Sequence, residues 1–322
     1  MPKISVVIPA YNAAGFIDKC LESLIRQTFL DFEIIVADDA STDETASIAA
    51  RYAKVTRSEK NQGVGAARNR GADASSGEIL AFTDADVILP ENWLANILRD
   101  IESFRVRCVG GGYSGSEGNS FIERFAHLEL AHRRKNTPAF VKTLVANNFA
   151  CTRDVFYECG KFPERYVCED LRLSFKISQK YEIYWDKDNG VLHHFKNSLR
   201  GYLKQQFRFA RDTVWSYYCH PGMIFSKTHQ GQGIYLETVL TMITLAALWK
   251  HPLLSLAGMA AIVILNRSFL LFLRQNRLPL AKSTGVILVR DIVCVMGIFS
   301  GIWNCLFHLF RSISGRNPFP KE

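Results

Sequence analysis

The chain has 322 residues, 48% hydrophobic and 22% charged, with 39 Lys and Arg against 31 Asp and Glu, a net charge of +8. This balance excludes an intrinsically disordered chain and leaves room for one large domain with an appendage. A basic protein of this size meets nucleic acid, an anionic membrane or a phosphate-bearing substrate; the motifs below favour the last two, and no nucleic-acid partner is expected. Its eight cysteines are scattered and form no CxxC pair, which argues against a zinc knuckle and for reduced core thiols.

Residues 4–8 are a β-branched run ended by Pro9 and predict a buried strand. No basic leader with a cleavage site precedes them, so the N-terminal domain is expected to fold in the cytoplasm. Residues 16–26 carry apolar side chains at helical spacing (Phe16, Cys20, Leu21, Leu24, Ile25), residues 33–37 predict a second strand, 43–54 a helix and 55–57 a short strand. Residues 65–75 are Ala-rich and helical, stopped by Gly77, and 79–83 predict another buried strand. The alternation predicts an α/β domain, with a mostly parallel sheet covered by helices on both faces. Ligands of such sheets bind beyond the carboxyl ends of the strands.

Between residues 100 and 200 the pattern is less regular. Residues 110–112 (Gly-Gly-Gly) and 114–120 predict loops, and Phe121–Arg134 a helix. Six Lys and Arg (Lys196, Arg200, Lys204, Arg208, Arg211, Lys227) against Asp212 form a basic block before a composition shift near Ile234. Three apolar stretches follow, at 234–249, 252–273 and 286–310, so the expected domains are residues 1–232 and 233–322. Residues 292–310 are long enough to cross a bilayer, which takes about 20 residues. Residues 252–273 are interrupted at Asn266-Arg267, and 234–249 carry Glu237, so these two are expected to form a hairpin or to lie re-entrant. Arg274, Arg277 and Lys282 favour a cytoplasmic loop, but a third crossing would place Arg311, Arg316 and Lys321 outside, so the number of crossings stays open.

Acidic residues follow the strands. Asp38-Asp39 either hold a nucleobase, ribose or metal at the sheet rim, or form a turn capped by Ser41 and Asp43. At an extended strand exit, residues i and i+2 point the same way, so Asp84 and Asp86 could share a hard divalent cation bound to diphosphate oxygens. The loop 61–69 (Asn-Gln-Gly-Val-Gly-Ala-Ala-Arg-Asn) lacks both GxGxxG and GK[ST], which argues against a Rossmann fingerprint and a P-loop; its small residues and Arg68 could let the backbone approach a diphosphate. Glu169-Asp170 open a short amphipathic helix and either complement its N-terminus or supply a general base.

In order and spacing, residues 6–12 (Val-Val-Ile-Pro-Ala-Tyr-Asn), 38–43, 61–69, 84–86 and 169–170 resemble the family 2 glycosyltransferases of GT-A fold, over roughly residues 3–215. The resemblance implies that Asp38 and Asp39 contact the nucleoside, that Pro9, Ala10 and Tyr11 wall the base, and that Arg68 lies near the donor. It implies further that Asp84 contacts ribose or metal, Asp86 binds Mg²⁺ or Mn²⁺, and Asp170 is the base beside Glu169. Asn148, in an N-x-A-x-x-R segment, resembles the family's acceptor-side stretch. Gln205 and Arg208 resemble the QxxRW motif, with Phe209 in place of Trp, a departure that puts processivity in question. His193 stands where similar sequences place a histidine near diphosphate or metal. The implied activity is inverting transfer from a nucleotide-sugar donor, a UDP-sugar, to a lipid-linked or cell-surface glycan at the inner membrane, with the catalytic domain cytoplasmic. A polyprenyl-phosphate sugar synthase and a non-catalytic nucleotide-sugar-binding scaffold are the alternatives.

Overall fold

The computed structural model describes residues 1–164, 168–225, 233–248 and 250–313. Lys227, Trp249, Arg316, Lys321 and the expected boundary at 232/233 lie outside the described residues. The chain divides into two compact units. One comprises Met1–Asn119 and Arg133–Phe195, the other Ser120–His132, residues 196–225 and the chain from 233 onward.

The first unit starts with β1 (Ile4–Ala10), α1 (Ile17–Ile25), β2 (Phe32–Asp38), α2 (Thr45–Ala49), β3 (Lys54–Arg57), α3 (Val64–Asp73) and β4 (Ile79–Thr83). The helix expected over 43–54 shrinks to α2, because Asp43 turns back to accept from Thr45 N at 3.1 Å and so acts before the helix starts. Then come β5 (Val87–Ile88), α4 (Trp93–Phe104) and β6 (Cys108–Ser116), the end of helix α5 (Phe121–Arg134), and β7 (Phe140–Val141), β8 (Asn148–Thr152), α6 (Arg153–Glu158), α7 (Glu169–Ile177) and β9 (Ile183–His193).

The nine strands form one mixed sheet in the order β3-β2-β1-β4-β8-β6-β9-β5, with β7 on β9. β3, β2, β1 and β4 are mutually parallel, as expected. Beyond β4 the sheet turns antiparallel at β8 and again at β6, and β9 runs parallel to β6. Strand alternation separates two cores. Ile4, Val6 and Ile8 pack with Cys20, Leu21 and Leu24 of α1 on one face. Val7, Leu80 and Phe82 pack with Phe149, Phe156 and Leu173 on the other.

Residues 110–112, read as a loop, lie inside β6, and the physical reason is close approach. A Cβ on Gly111 would stand 2.4 Å from Asn189 O, and one on Gly110 would stand 2.6 Å from Leu144 Cδ1, so only glycine lets the strand pass.

The second unit is helical. α5 begins with a capping box: Glu123 N donates to Ser120 Oγ at 3.2 Å, and Ser120 N donates to Glu123 Oε2 at 2.9 Å. It is joined by α8 (Leu199–Cys219), α9 (Gly233–Ala247), α10 (Pro252–Leu265), α11 (Arg267–Gln275) and α12 (Leu280–Ile313). α10 and α11 meet at a 54° bend, where Asn266-Arg267 interrupt the apolar run.

Residues 280–310 of α12 are long and apolar enough to cross a membrane. One face of that helix nevertheless packs on α8. Cβ atoms on Gly297 and Gly301 would meet the backbone oxygens of Phe207 and Arg211 at 2.6 and 2.5 Å. A small-xxx-small pair thus brings the two backbones together. The opposite face exposes Phe299, Trp303 and Phe310. Arg290 is buried among carboxylates of three helices: it pairs with Glu129 and Asp291 and donates to Glu237 Oε2 at 2.8 Å, while Tyr202 Oη donates to Glu129 at 2.7 Å.

Candidate active site

β1, β2 and β4 end on one rim of the first unit. Asp39 N donates to Ala10 O at 2.8 Å, which ties the exits of β1 and β2. Asn12 and Ala40 both take a left-handed backbone there, at φ 49° and 65°. Asn12 offsets part of that strain by accepting from Thr42 N at 2.8 Å.

Asp38 is fully buried. It accepts from Ser41 N and lies 3.1 Å from Arg57 Nε. Asp39 accepts from Gln62 N at 2.9 Å, Gly63 N at 2.8 Å and Ser58 Oγ at 3.1 Å. Both carboxylates thus hold loops, and beside them opens a recess of about 460 Å³ lined by Ala40, Ser41, Thr42, Arg57, Ser58 and Glu59. Tyr11 stands half exposed at the same rim, while Ala10 is buried beneath it.

The second cluster is organised by Arg68. Its Nη2 donates to Asp84 Oδ1 at 2.7 Å and its Nη1 to Glu169 Oε1 at 2.5 Å, with the guanidinium 5.4 Å from the Phe162 ring. Burial lowers its pKa, but the charges of Asp84, Glu169 and Asp170 outweigh that and hold it above the ordinary arginine value. The approach of small residues in loop 61–69 is to protein: a Cβ on Gly65 would lie 2.4 Å from Pro163 O.

β4 ends at Thr83, and Val87 N donates to Asp84 O at 3.2 Å, so Asp84–Asp86 form a turn. The alternation argument therefore does not apply to this pair, and the two acids take different partners. Asp84 faces Arg68, and Asp86 Oδ1 lies 3.5 Å from His193 Nε2 at the end of β9. β5 pairs with β9 in the register Val87↔His193, which brings His193 to the acidic turn. Among the described residues no group of three or more His, Cys, Asp or Glu forms a ready metal cage.

Glu169 and Asp170 open α7. Asp170 accepts from Leu171 N at 2.8 Å and from Ala146 N at 3.2 Å. Burial pushes Glu169 up to about 7, with the Asp170 charge adding and Arg68 opposing. Burial likewise raises Asp170, against Arg68 and the two backbone N–H donors.

Asn148 is not open to a ligand. It is buried, accepts from Trp93 Nε1 at 2.8 Å and donates to Gly112 O at 3.2 Å and Asn189 O at 2.7 Å. Its neighbour Asn147 donates to Tyr113 Oη at 2.6 Å. Tyr113 carries no motif in the sequence; its ring centre lies 5.3 Å from that of His193, tilted against it, and 5.5 Å from that of Phe195, edge to face. Gln205 and the exposed Arg208 lie on α8 in the second unit.

A parallel sheet extended by antiparallel strands, with acids at the strand exits and a buried carboxylate pair at the start of α7, defines a GT-A domain. Residues 5–160, just under half of the chain, match the family described as Glycosyl transferase family 2. Over 236 residues it is 28% identical to glycosyltransferase AglE of Haloferax volcanii, covering 66% of this chain and 74% of that one. It is 27% identical over 229 residues to a Campylobacter jejuni GalNAc(5)-diNAcBac-PP-undecaprenol beta-1,3-glucosyltransferase, covering 63% and 72%. Other curated relatives are longer: the chain spans 59% of one from Bacillus subtilis and 18% of one from Streptococcus pneumoniae. Among solved structures, mannosyltransferase PcManGT from Pyrobaculum calidifontis, in complex with GDP-Man and Mn²⁺, has a TM-score of 0.62 at 21% identity, covering 94% of this chain and 88% of that one. That likeness is one of fold.

Proposed function

We propose that this chain is a membrane-attached inverting glycosyltransferase. It moves a sugar from a nucleoside diphosphate donor, a UDP-sugar, to a hydroxyl of a lipid-linked or cell-surface glycan. The observation that carries this reading is the Asp84–Arg68–Glu169 chain of ion pairs beside Asp170. It keeps a buried carboxylate next to the acidic turn at the end of β4, where a diphosphate and a metal would meet.

The nucleoside occupies the recess beside Ser41 and Arg57, whose walls Asp38 and Asp39 hold in place. Arg68 orients Asp84 and Glu169. Asp170, in its ionised form, takes the proton of the acceptor hydroxyl as that oxygen attacks the anomeric carbon. The bond from that carbon to the diphosphate oxygen breaks on the opposite face, which inverts the configuration. A positioned base contributes roughly 10²- to 10⁴-fold.

Asp86 and His193 fit a divalent ion as a pair of adjacent protein donors, with donor phosphate oxygens completing the set, the habit of Mg²⁺ and Mn²⁺. Bound there, the ion would neutralise the leaving diphosphate. The Mn²⁺ held by PcManGT supports this assignment. The undecaprenol-linked acceptor in the name of the Campylobacter relative supports a lipid-linked acceptor here, and α12 with its exposed aromatic face supports attachment to a membrane, which in this reading is the inner membrane with the catalytic domain on its cytoplasmic side.

The test is release of nucleoside diphosphate from a donor panel, with and without chelator, in the presence of membrane lipid extract. Chelator-sensitive release that requires the extract is the expected result. Release from no donor under any condition would sink the proposal in favour of a non-catalytic binding role.

A further inference from the structure

Arg134 ends α5 in an arrangement unlike that of Arg68. Its guanidinium carbon stands 4.9 Å from the centre of the Tyr113 ring and 5.3 Å from that of Trp185. Gly112 helps make room, since a Cβ there would meet Trp185 Cζ2 at 3.2 Å and Arg134 Nη1 at 3.8 Å. Aromatic faces attract a cation but satisfy few of its N–H donors. Nε and Nη1 of Arg134 are buried without a hydrogen-bond partner. Among the described residues no carboxylate pairs with Arg134, whereas Arg68 has two.

The position adjoins the reaction centre. Tyr113 carries the stack, accepts from Asn147 and faces the His193 ring, and Ala146, next in the chain to Asn147, donates to Asp170. Arg134 is only partly buried as a residue, but two of its N–H donors are shielded from water and unused, which is unfavourable in isolation. An incoming group with several anionic oxygens relieves that cost, and the planar fork of arginine matches phosphate in a bidentate manner.

We propose that Arg134, clamped between Tyr113 and Trp185, receives a phosphate group of a substrate on the Asp170 side of the site. The proposal rests on the glycosyl-transfer reading for the source of that phosphate, which is either the donor diphosphate or the phosphate of a lipid-linked acceptor.

Inorganic pyrophosphate is the probe, titrated into the full chain in detergent without metal, with tryptophan fluorescence as the readout. A saturable change that disappears in Trp185→Phe locates the anion at the stack. Arg134→Met keeps the bulk but not the charge and is expected to weaken binding roughly 10- to 100-fold. Arg134→Lys keeps the charge without the fork and is expected to fall between, which guards against a Met variant that fails to fold. Repeating the titration with saturating UDP separates the sources: competition assigns the donor diphosphate, and unchanged binding assigns the acceptor phosphate. No saturable signal in the wild type, or equal affinity in all three proteins, would overturn the proposal. Because the readout is binding, its failure leaves the transferase reading to be judged by donor turnover alone.

Discussion

Arg68 Nη1 lies 2.5 Å from Glu169 Oε1 and joins α3 to α7 across 101 residues of sequence. Both side chains are nearly inaccessible. Removing one member of such a pair leaves an uncompensated buried charge, which costs about 3–5 kcal/mol. Arg68→Met is therefore expected to lower the unfolding free energy by that order, with Asp84 and Glu169 both left without their cation. Chemical denaturation followed by circular dichroism checks it. A loss below about 1 kcal/mol would mean that the network does not hold the site together.

Asp170→Asn keeps the shape of the side chain and its place at the start of α7 but cannot take a proton. Turnover is expected to fall roughly 10²- to 10⁴-fold while donor affinity is spared, the pattern of an interaction needed chiefly in the transition state. Calorimetry for donor binding and nucleoside diphosphate release for turnover give the two halves. Near-normal turnover would move the base to Glu169 or favour a phosphate acceptor, which needs no base.

Asp86→Ala is expected to abolish the metal-dependent part of donor affinity without unfolding the chain, because the side chain is partly exposed and faces His193 rather than the core. His193→Ala should produce a weaker version of the same loss. Donor titrations with Mn²⁺ and with chelator measure it. Equal affinity in the two conditions for both wild type and variant would refute the metal assignment.

Glu169, pushed up to about 7 from an ordinary 4.5, binds its proton more tightly folded than unfolded. The sign follows directly. Between about pH 4.5 and 7 the native state holds the extra proton, so stability falls as pH rises through that window, by at most about 1.4 kcal/mol per pH unit. Glu169→Gln is expected to remove that slope. Unfolding free energies measured at several pH values, for wild type and variant, check it; parallel curves would count against the shift.

Phe299, Trp303 and Phe310 line the exposed face of α12, while Gly297 and Gly301 occupy the face on α8. Replacing the three aromatics with Ser is expected to release a large part of the protein from membranes at high salt, where screening weakens the contribution of the basic block. Gly301→Leu is expected to act differently. It should separate α12 from α8 and lower stability while leaving membrane affinity in place. Flotation with liposomes and thermal melts distinguish the two outcomes, and retention of the triple variant on liposomes would argue against this face as the anchor.

The parallel half of the sheet, β1 to β4, was legible in the sequence because buried strands and amphipathic helices leave local periodic patterns. So was the helix at Phe121–Arg134, whose Ser120 and Glu123 form a capping box. The acidic motifs were legible as well, since strand exits are local events. The antiparallel half was not. Gly110 to Gly112 carry no strand propensity and sit in β6 only because Asn189 and Leu144 press against them. Nor could the sequence assign partners. Asp84 and Asp86 look equivalent until β9 brings His193 to one and α3 brings Arg68 to the other. Arg134 had no local signal at all, for its surroundings come from residues at 112, 113 and 185. The physical division is one of range: backbone preference and hydrophobic period act over a few residues, whereas ion pairs, close glycine approaches and aromatic stacks exist only once distant segments meet. The sequence alone determined that a strand-exit acidic site would form, and the tertiary structure decided which cation, imidazole and carboxylate share it.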